Sequence, residues 1–480
     1  MRFDLVVHRA SVVDTVGLGA FGAGGHRDPL VDVAVAEGRI VAVAVAAAGG
    51  IGSAGGELRG ETEIDADGGA LIPGLHDHHL HLLALESAMR SVRAGPPEVR
   101  SATDLERVLR RADAELAPGR WLRGVGYHES VAGELDRTVI DRLVPGRPVR
   151  IQHRTGAMWV LNTKALVSIG LRPDDSPTGQ LFDADDVIGT RVPRELPDLT
   201  AVGARLAGLG VTGVTDATPF RDGSYLAPIV SAIAAGSLPQ RVTAMGAPGV
   251  DPGAFAGVGR GPAKIVVGDH VLPTVDELVG RFRRARREKR TVAVHCVTRV
   301  GLVLALAAWD DVGVVDGDRI EHASVVDVGL ANAIAERGLV VVTQPNFVAE
   351  RGDEYLRDVD PLDLADLYPC RRLLEAGVPL GSSTDAPFGD PDPWRAIRAA
   401  ARRETAGGSV LGAAQCIDPS VALRGFLTAP ERPGGAPRRV AVGWPADLCL
   451  LSVPLGVALA EPAARHVRLT MCEGRIAFSR

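Results

Sequence analysis

At 480 residues the chain is about three times the roughly 150-residue prior for one domain, so it holds several domains or one barrel with additions. Hydrophobic residues at 46% and charged residues at 23% match soluble globular chains and exclude a disordered, collagen-like or fibrous protein. Fifty-three basic against 59 acidic side chains give a net charge of −6, which leaves no overall positive field for a phosphate backbone, so nucleic acid is not expected as a partner.

Taken in chain order, residues 3–7, 31–36 and 39–45 read as short strands, with Glu37-Gly38 as a tight hairpin connection. Asp4, His8 and Arg9 interrupt what would have to be the apolar core of a signal peptide. No window approaches the ~20 uninterrupted apolar residues of a membrane-spanning helix, so a cytoplasmic protein without a membrane partner is expected. Residues 17–28 and 46–61 are Gly-rich and polar and read as loops. Near the other end, residues 447–452, 466–471 and 475–478 again read as strands. The two β-rich ends predict one small sheet domain assembled from residues 1–69 and 430–480.

Between them, residues 70–429 alternate apolar runs with helical stretches, as a parallel sheet built from βα units requires. The runs are residues 70–75, 211–215, 241–245, 263–267, 291–295, 319–322, 339–343 and 378–382. Eight such strands satisfy a (β/α)8 TIM barrel, although a doubly wound sheet fits the alternation almost as well. The expected fold is therefore α/β: a TIM barrel, a small sheet domain from both termini, and an insertion over residues 91–198 that could cap the barrel mouth after its first strand. The basic run Arg281 to Arg290 follows a Thr274-x-x-Glu277 capping box and reads as the solvated face of a helix. Cys296, Cys370, Cys416, Cys449 and Cys472 show no C-x-x-C spacing and read as reduced thiols.

Polar residues at the ends of these runs favour the barrel. The first run leads into His76-Asp77-His78-His79-Leu80-His81, and residues two apart on an extended chain share a side, so His79 and His81 can grip one metal ion. The fifth run ends at His295, the sixth at His322, and the eighth leads to Asp385. Lys264 lies inside the fourth, where an unpaired charge would be costly. Together these describe one metal site at one barrel mouth, with His78 pointing away from it.

These residues resemble the amidohydrolase superfamily of metal-dependent hydrolases, over nearly the whole chain. Leu71-Ile72-Pro73-Gly74 before Asp77-x-His79-x-His81 looks like its entry strand, the Lys, His, His and Asp strands follow in family order, and the terminal strands are similar to its companion β-sandwich, which implies a small β-sandwich domain built from both termini. Trp121-Leu122-x-Gly124-x-Gly126, Pro148-Val149, Leu161-Asn162-x-Lys164-Ala165-Leu166, Gly210 to Asp216 and Gln344-Pro345 look like amidohydrolase family 3, the branch with N-substituted formamide deformylase-like enzymes. The chain departs from that branch at Gly156-Ala157, where members commonly show Gly-His.

The resemblance implies a hydrolase that cleaves a non-peptide C–N bond (amide, formamide or cyclic amide) of a small molecule. Zinc with an open coordination position lowers the pKa of bound water to about 7, which supplies hydroxide. His79, His81 and Asp385 would hold the first Zn2+; a Lys264 carboxylated by CO2 would bridge to a second held by His295 and His322. Asp385, His322 and Lys264 are the residues expected to take part in the chemistry, Asp385 as general base and then acid. His270, Arg299, Asn346 and Phe347 on loops after strands, with Tyr127, His128, His153 and Arg154 in the insertion, are candidate substrate contacts. Two alternatives stand beside this reading. A mononuclear deaminase would resemble its relatives in carrying Glu three residues after the fifth-strand His, where this chain has Thr298; an inactive scaffold would have lost ligands. A homo-oligomer is compatible with the sequence.

Overall fold

The computed structural model describes residues 2–13, 29–46, 58–96, 98–182, 184, 188–189, 191–192, 196–268 and 272–480. The predicted loop 17–28 and most of the loop 46–61 lie outside them; from Arg59 onward the latter is strand, Arg59–Asp65. The chain is α/β and divides into two compact units, Met1–Leu82 with Leu199–Arg480, and Leu83–Asp198. The second unit spans the segment 91–198 expected as an insertion.

Both termini contribute to one sheet, ordered Arg475–Ser479, Val467–Cys472, Leu448–Leu451, Ala70–Pro73, Arg2–Val12, Val31–Ala36 and Arg39–Val45, with Arg59–Asp65 parallel to Arg2–Val12. Strand alternation sends Leu5, Val7, Val33, Val35, Leu448, Leu450, Leu469 and Met471 to one buried face. Each such apolar side chain stabilises the sheet by roughly 1.5–3 kcal/mol. Glu37 and Gly38 turn the hairpin with φ of 51° and 73°, the paired positive values of a type I′ turn.

The first predicted barrel run divides in two. Ala70–Pro73 pairs with Leu448–Leu451 and Arg2–Val12 in the terminal sheet, whereas Leu75–Leu80 pairs with Val211–Asp216. The handover occurs at Gly74, whose N–H donates to Asp447 O at 2.8 Å while Leu75 N–H donates to Gly210 O at 2.8 Å. A Cβ at Gly74 would lie 2.1 Å from the Thr212 side chain, so only glycine fits this close approach. His76, His78 and His79 therefore sit within a strand, Leu75–Leu80, and His81 directly follows it.

The remaining parallel strands form two sheets. One is ordered Leu75–Leu80, Val211–Asp216, Arg241–Ala244 and Val258–Arg260, a strand not predicted; the other is Ala263–Val266, Val292–Cys296, Arg319–His322, Val340–Thr343 and Leu380–Ser382. Backbone hydrogen bonds link them on both sides: Lys264 N–H to Gly246 O at 2.8 Å, and Asp385 N–H to His79 O at 2.9 Å. Outside the second sheet, Ile265, Val294, Ile320 and Val341 pack with Leu278, Phe282, Leu302, Trp309 and Ile334 from the intervening helices. Asp318 at the foot of this layer is fully buried and accepts from Arg286, Val292 N–H, Trp309 Nε1 and Val315 N–H. Asp318→Ala is expected to cost about 3–5 kcal/mol, because it strands a guanidinium and three N–H groups; a shift in the denaturant midpoint measures it.

The helix Val275–Arg287 carries the predicted Thr274/Glu277 capping box and buries Leu278, Val279, Phe282 and Ala285, leaving Arg281, Arg283, Arg284 and Arg287 exposed. Arg290 corrects the expectation of a wholly solvated basic face. Its guanidinium is buried and donates to the carbonyls of Met245, Val250, Gly261 and Pro262. The five cysteines are unbonded. Among the described residues no helix is long and apolar enough to cross a membrane.

The unit Leu83–Asp198 has its own sheet, ordered Gln180–Phe182, Met158–Leu161, Val149–His153, Leu122–Tyr127 and Val92–Arg93. The helix Ala102–Glu115 is capped by Ser101 and buries Leu105 and Leu109; with Leu122, Val149 and Ile151 they form that unit's core.

Candidate metal centre

His79 and His81 project from the same side of Leu75–Leu80, and Asp385 meets them from just beyond Leu380–Ser382. The Asp385 carboxylate lies 3.3 Å from His81 Nε2 and 3.7 Å from His79 Nε2. The main-chain bond from Asp385 N–H to His79 O fixes the two strands in register. Asp385 has φ of 56°, a strained value for a non-glycine residue that aims its side chain into the group. Both histidines face it with Nε2 because their Nδ1 atoms are engaged, His79 by the Glu321 carboxylate and His81 by Thr218 Oγ1 at 2.8 Å. One Asp385 oxygen is buried with no hydrogen-bond partner. Two imidazole nitrogens and this carboxylate oxygen lie within 4.8 Å of one another, a donor set that fits one divalent cation.

Lys264, His295 and His322 surround this group. Lys264 Nζ is 3.2 Å from His79 Nε2; the His322 ring lies 4.8 Å from that of His79 and 4.5 Å from that of His295. Alternation alone would send Glu321 and His322 to opposite faces of their strand. His322 reaches the site because its φ of 71° breaks the alternation. Gln344 Oε1 then holds His322 Nδ1 at 2.7 Å, and Gln344 Nε2 donates to Ser383 Oγ at 2.8 Å. Burial keeps His79 and His322 far below the usual histidine range, lowers His295 to about 3, and lowers Lys264 to about 8. These histidines are neutral at pH 7, with lone pairs free for a metal.

The profile described as Amidohydrolase family matches residues 62–478. The chain belongs to this amidohydrolase family. It is 25% identical to the amidohydrolase YtcJ of Bacillus subtilis (strain 168), covering 87% of this chain and 90% of that protein. It is 23% identical to the N-substituted formamide deformylase of Arthrobacter pascens, over 88% of this chain and 92% of that one. A metal-dependent hydrolase from Pyrococcus horikoshii OT3 shares the fold with a TM-score of 0.71 at 19% identity, covering 94% of this chain and 96% of that one. This amidohydrolase is accordingly a hydrolase of carbon–nitrogen bonds other than peptide bonds.

Sequence reasoning missed the groups that orient the amidohydrolase's histidines. Glu321 bonds His79 Nδ1 with one oxygen and Arg319 Nε at 2.5 Å with the other; Arg319 also reaches His78 O at 3.2 Å. The signal was available, because Glu321 is a charge inside an apolar run, as Lys264 is. Glu321→Gln is expected to weaken divalent-metal affinity about 10- to 100-fold, as loss of a carboxylate behind a ligating histidine does. Metal titration followed by calorimetry checks it.

The other candidates lie in varied surroundings. His76 and His78 are buried away from the metal group, their Nε2 atoms 2.9 Å from Thr215 and Thr428 hydroxyls. Arg299 is held by Asp327, Asp363 and Asp366. Asn346 is buried, and its Nδ2 donates to Glu350 and to Thr384 O. Phe347 is buried against Tyr368, with ring centroids 5.9 Å apart. His270 lies outside the described residues. Within the second unit, Tyr127 is buried and donates to Gly133 O at 2.6 Å, and His153 contacts Glu129 at 3.2 Å and Thr155 at 2.9 Å. His128 caps the helix Glu129–Ala132, with its Nδ1 accepting from Ser130 N–H.

Proposed function

We propose that this amidohydrolase cleaves an amide, formamide or cyclic amide C–N bond of a small molecule, with Zn2+ held by His79, His81 and Asp385. The unpartnered, buried Asp385 oxygen beside two outward Nε2 atoms carries the reading. A divalent ion bound there supplies Lewis acidity toward a carbonyl and toward water. Asp385 is the group poised to take a proton and return it to the departing nitrogen. Lys264 lies within reach of His79, and if carboxylated by CO2 it would join His295 and His322 in holding a second ion. The hydrogen bonds joining the two parallel sheets at Lys264 and at Asp385 support a closed (β/α)8 barrel around the group.

Hydrolysis is favoured over deamination by Thr298. Its hydroxyl accepts from Gly301 N–H at 3.1 Å as the cap of the helix Arg299–Val312, at the position where the deaminases carry a carboxylate. The test is a turnover screen of N-formyl, N-acyl and cyclic amides with Zn2+ added back, alongside metal content per chain. Turnover of at least one of these classes that depends on added metal supports the reading. Ammonia release from nucleobases instead, or metal-free protein with full activity, would refute it.

A further inference from the structure

The helix Asn346–Asp358 grips the segment that follows Asp385. Glu350 accepts from Asp390 N–H at 3.1 Å, and Arg351 Nη2 donates to Phe388 O at 2.6 Å. The Phe388 ring in turn meets His81 edge-on, with centroids 5.5 Å apart. Arg351 is thus one residue removed from the metal group. Its guanidinium lies over the Phe347 ring at 4.2 Å. Tyr355 and Tyr368, with hydroxyls 3.4 Å apart, and the partly buried Val325, Leu364 and Phe388 complete an aromatic and apolar surround.

Arg351 makes no ion pair among the described residues, which sets it apart from its neighbours. Arg299 meets three aspartates, Arg372 meets Asp366 at 2.5 Å, and Arg395 meets Asp390 at 2.5 Å. The adjacent Glu350 does not serve, because its carboxylate is turned to Asp390 N–H and Asn346. A half-buried guanidinium left without an anion is costly unless a partner arrives. With only Nη2 engaged by protein, the rest of the planar fork can take a carboxylate.

We propose that Arg351 is a specificity-determining residue that receives a substrate carboxylate, so that the preferred substrates are formyl- or acyl-amino compounds with an anionic group on an aromatic or apolar body. This rests on the hydrolase reading of His79, His81 and Asp385, and the test separates the two. Binding of 3-phenylpropanoate and of 3-phenylpropan-1-ol, which contain no C–N bond, is measured by calorimetry on the full-length chain as purified, in wild type, Arg351→Lys and Arg351→Gln. Hydrolysis of N-formyl-L-phenylalanine and of N-formyl-2-phenylethylamine is measured on the same proteins.

Wild type should bind the carboxylate more tightly than the alcohol. Arg351→Gln should lose about 10- to 100-fold of that preference, the scale of one charge-assisted pair, and Arg351→Lys should keep part of it. In turnover the loss should fall on KM for N-formyl-L-phenylalanine and leave N-formyl-2-phenylethylamine unchanged. Equal carboxylate affinity in wild type and Arg351→Gln would overturn the proposal, as would a kcat loss shared by both substrates. If Arg351→Gln does not fold, a wild type that prefers the alcohol overturns it and one that prefers the carboxylate, with the preference reduced in Arg351→Lys, supports it. Carboxylate preference that is lost in Arg351→Gln, without turnover of either formamide or of the N-acyl and cyclic amides of the screen, refutes the hydrolase reading while upholding Arg351.

Discussion

The double variant His79→Ala/His81→Ala is expected to purify without bound divalent metal and without turnover. Both side chains offer Nε2 toward Asp385 because Glu321 and Thr218 hold their Nδ1 atoms, so removing them takes two of three donors and leaves one carboxylate. The two losses differ in their effect on folding. His79 is 1% exposed and shares Glu321 with Arg319, so its removal also frees one oxygen of a buried carboxylate, at roughly 1–3 kcal/mol. His81 is less enclosed and touches Thr218, so His81→Ala alone should melt close to wild type. Elemental analysis of purified protein, paired with a melting curve, checks both parts. Full metal occupancy in a folded double variant would refute the assignment of the site.

Asp385→Asn is expected to lower kcat by about 10²-fold or more while keeping part of the metal affinity, the scale of loss of one proton-transfer group. The argument lies in what the amide lacks. Asparagine keeps the size and an oxygen that can face His81, but it cannot take up a proton near neutral pH and hand it back. The strained backbone at Asp385, with φ of 56°, tolerates this change because Asn is among the few residues that enter that region readily. Steady-state rates on a substrate from the screen, with metal content measured on the same sample, provide the check. Wild-type rates at equal metal content would remove Asp385 from proton transfer.

Much of this arrangement was legible from local rules. The terminal strands were readable as short apolar runs such as Leu5-Val6-Val7 and Leu448-Cys449-Leu450-Leu451, and the hairpin because Glu37-Gly38 suits a tight turn. His79 and His81 drew notice because alternation on a strand needs no tertiary information. The split at Gly74 was not legible, since Ala70 to Pro73 is as apolar as a barrel strand and its partner in the terminal sheet, Leu448–Leu451, lies far along the chain. Glu321 was missed although it is a charge inside an apolar run, as Lys264 is, and the positive φ at His322 that brings the two toward one site is invisible in the sequence. Arg290 looked like the last member of a solvated run; only the surrounding carbonyls reveal its burial.

The handover at Gly74 also bears on the order in which this protein can mature. Ala70–Pro73, covalently continuous with the strand carrying His79, is flanked by Leu448–Leu451, which is synthesised several hundred residues later. At about 5–20 residues per second, the interval between the two is tens of seconds. Throughout that interval the histidine strand has only one of its two anchors, and Asp385 and the C-terminal strands are still to come. The proposed metal site is therefore completed only once Leu448–Leu451 have been made, and a truncation that removes them acts on it through Ala70–Pro73, which is then paired on one side only.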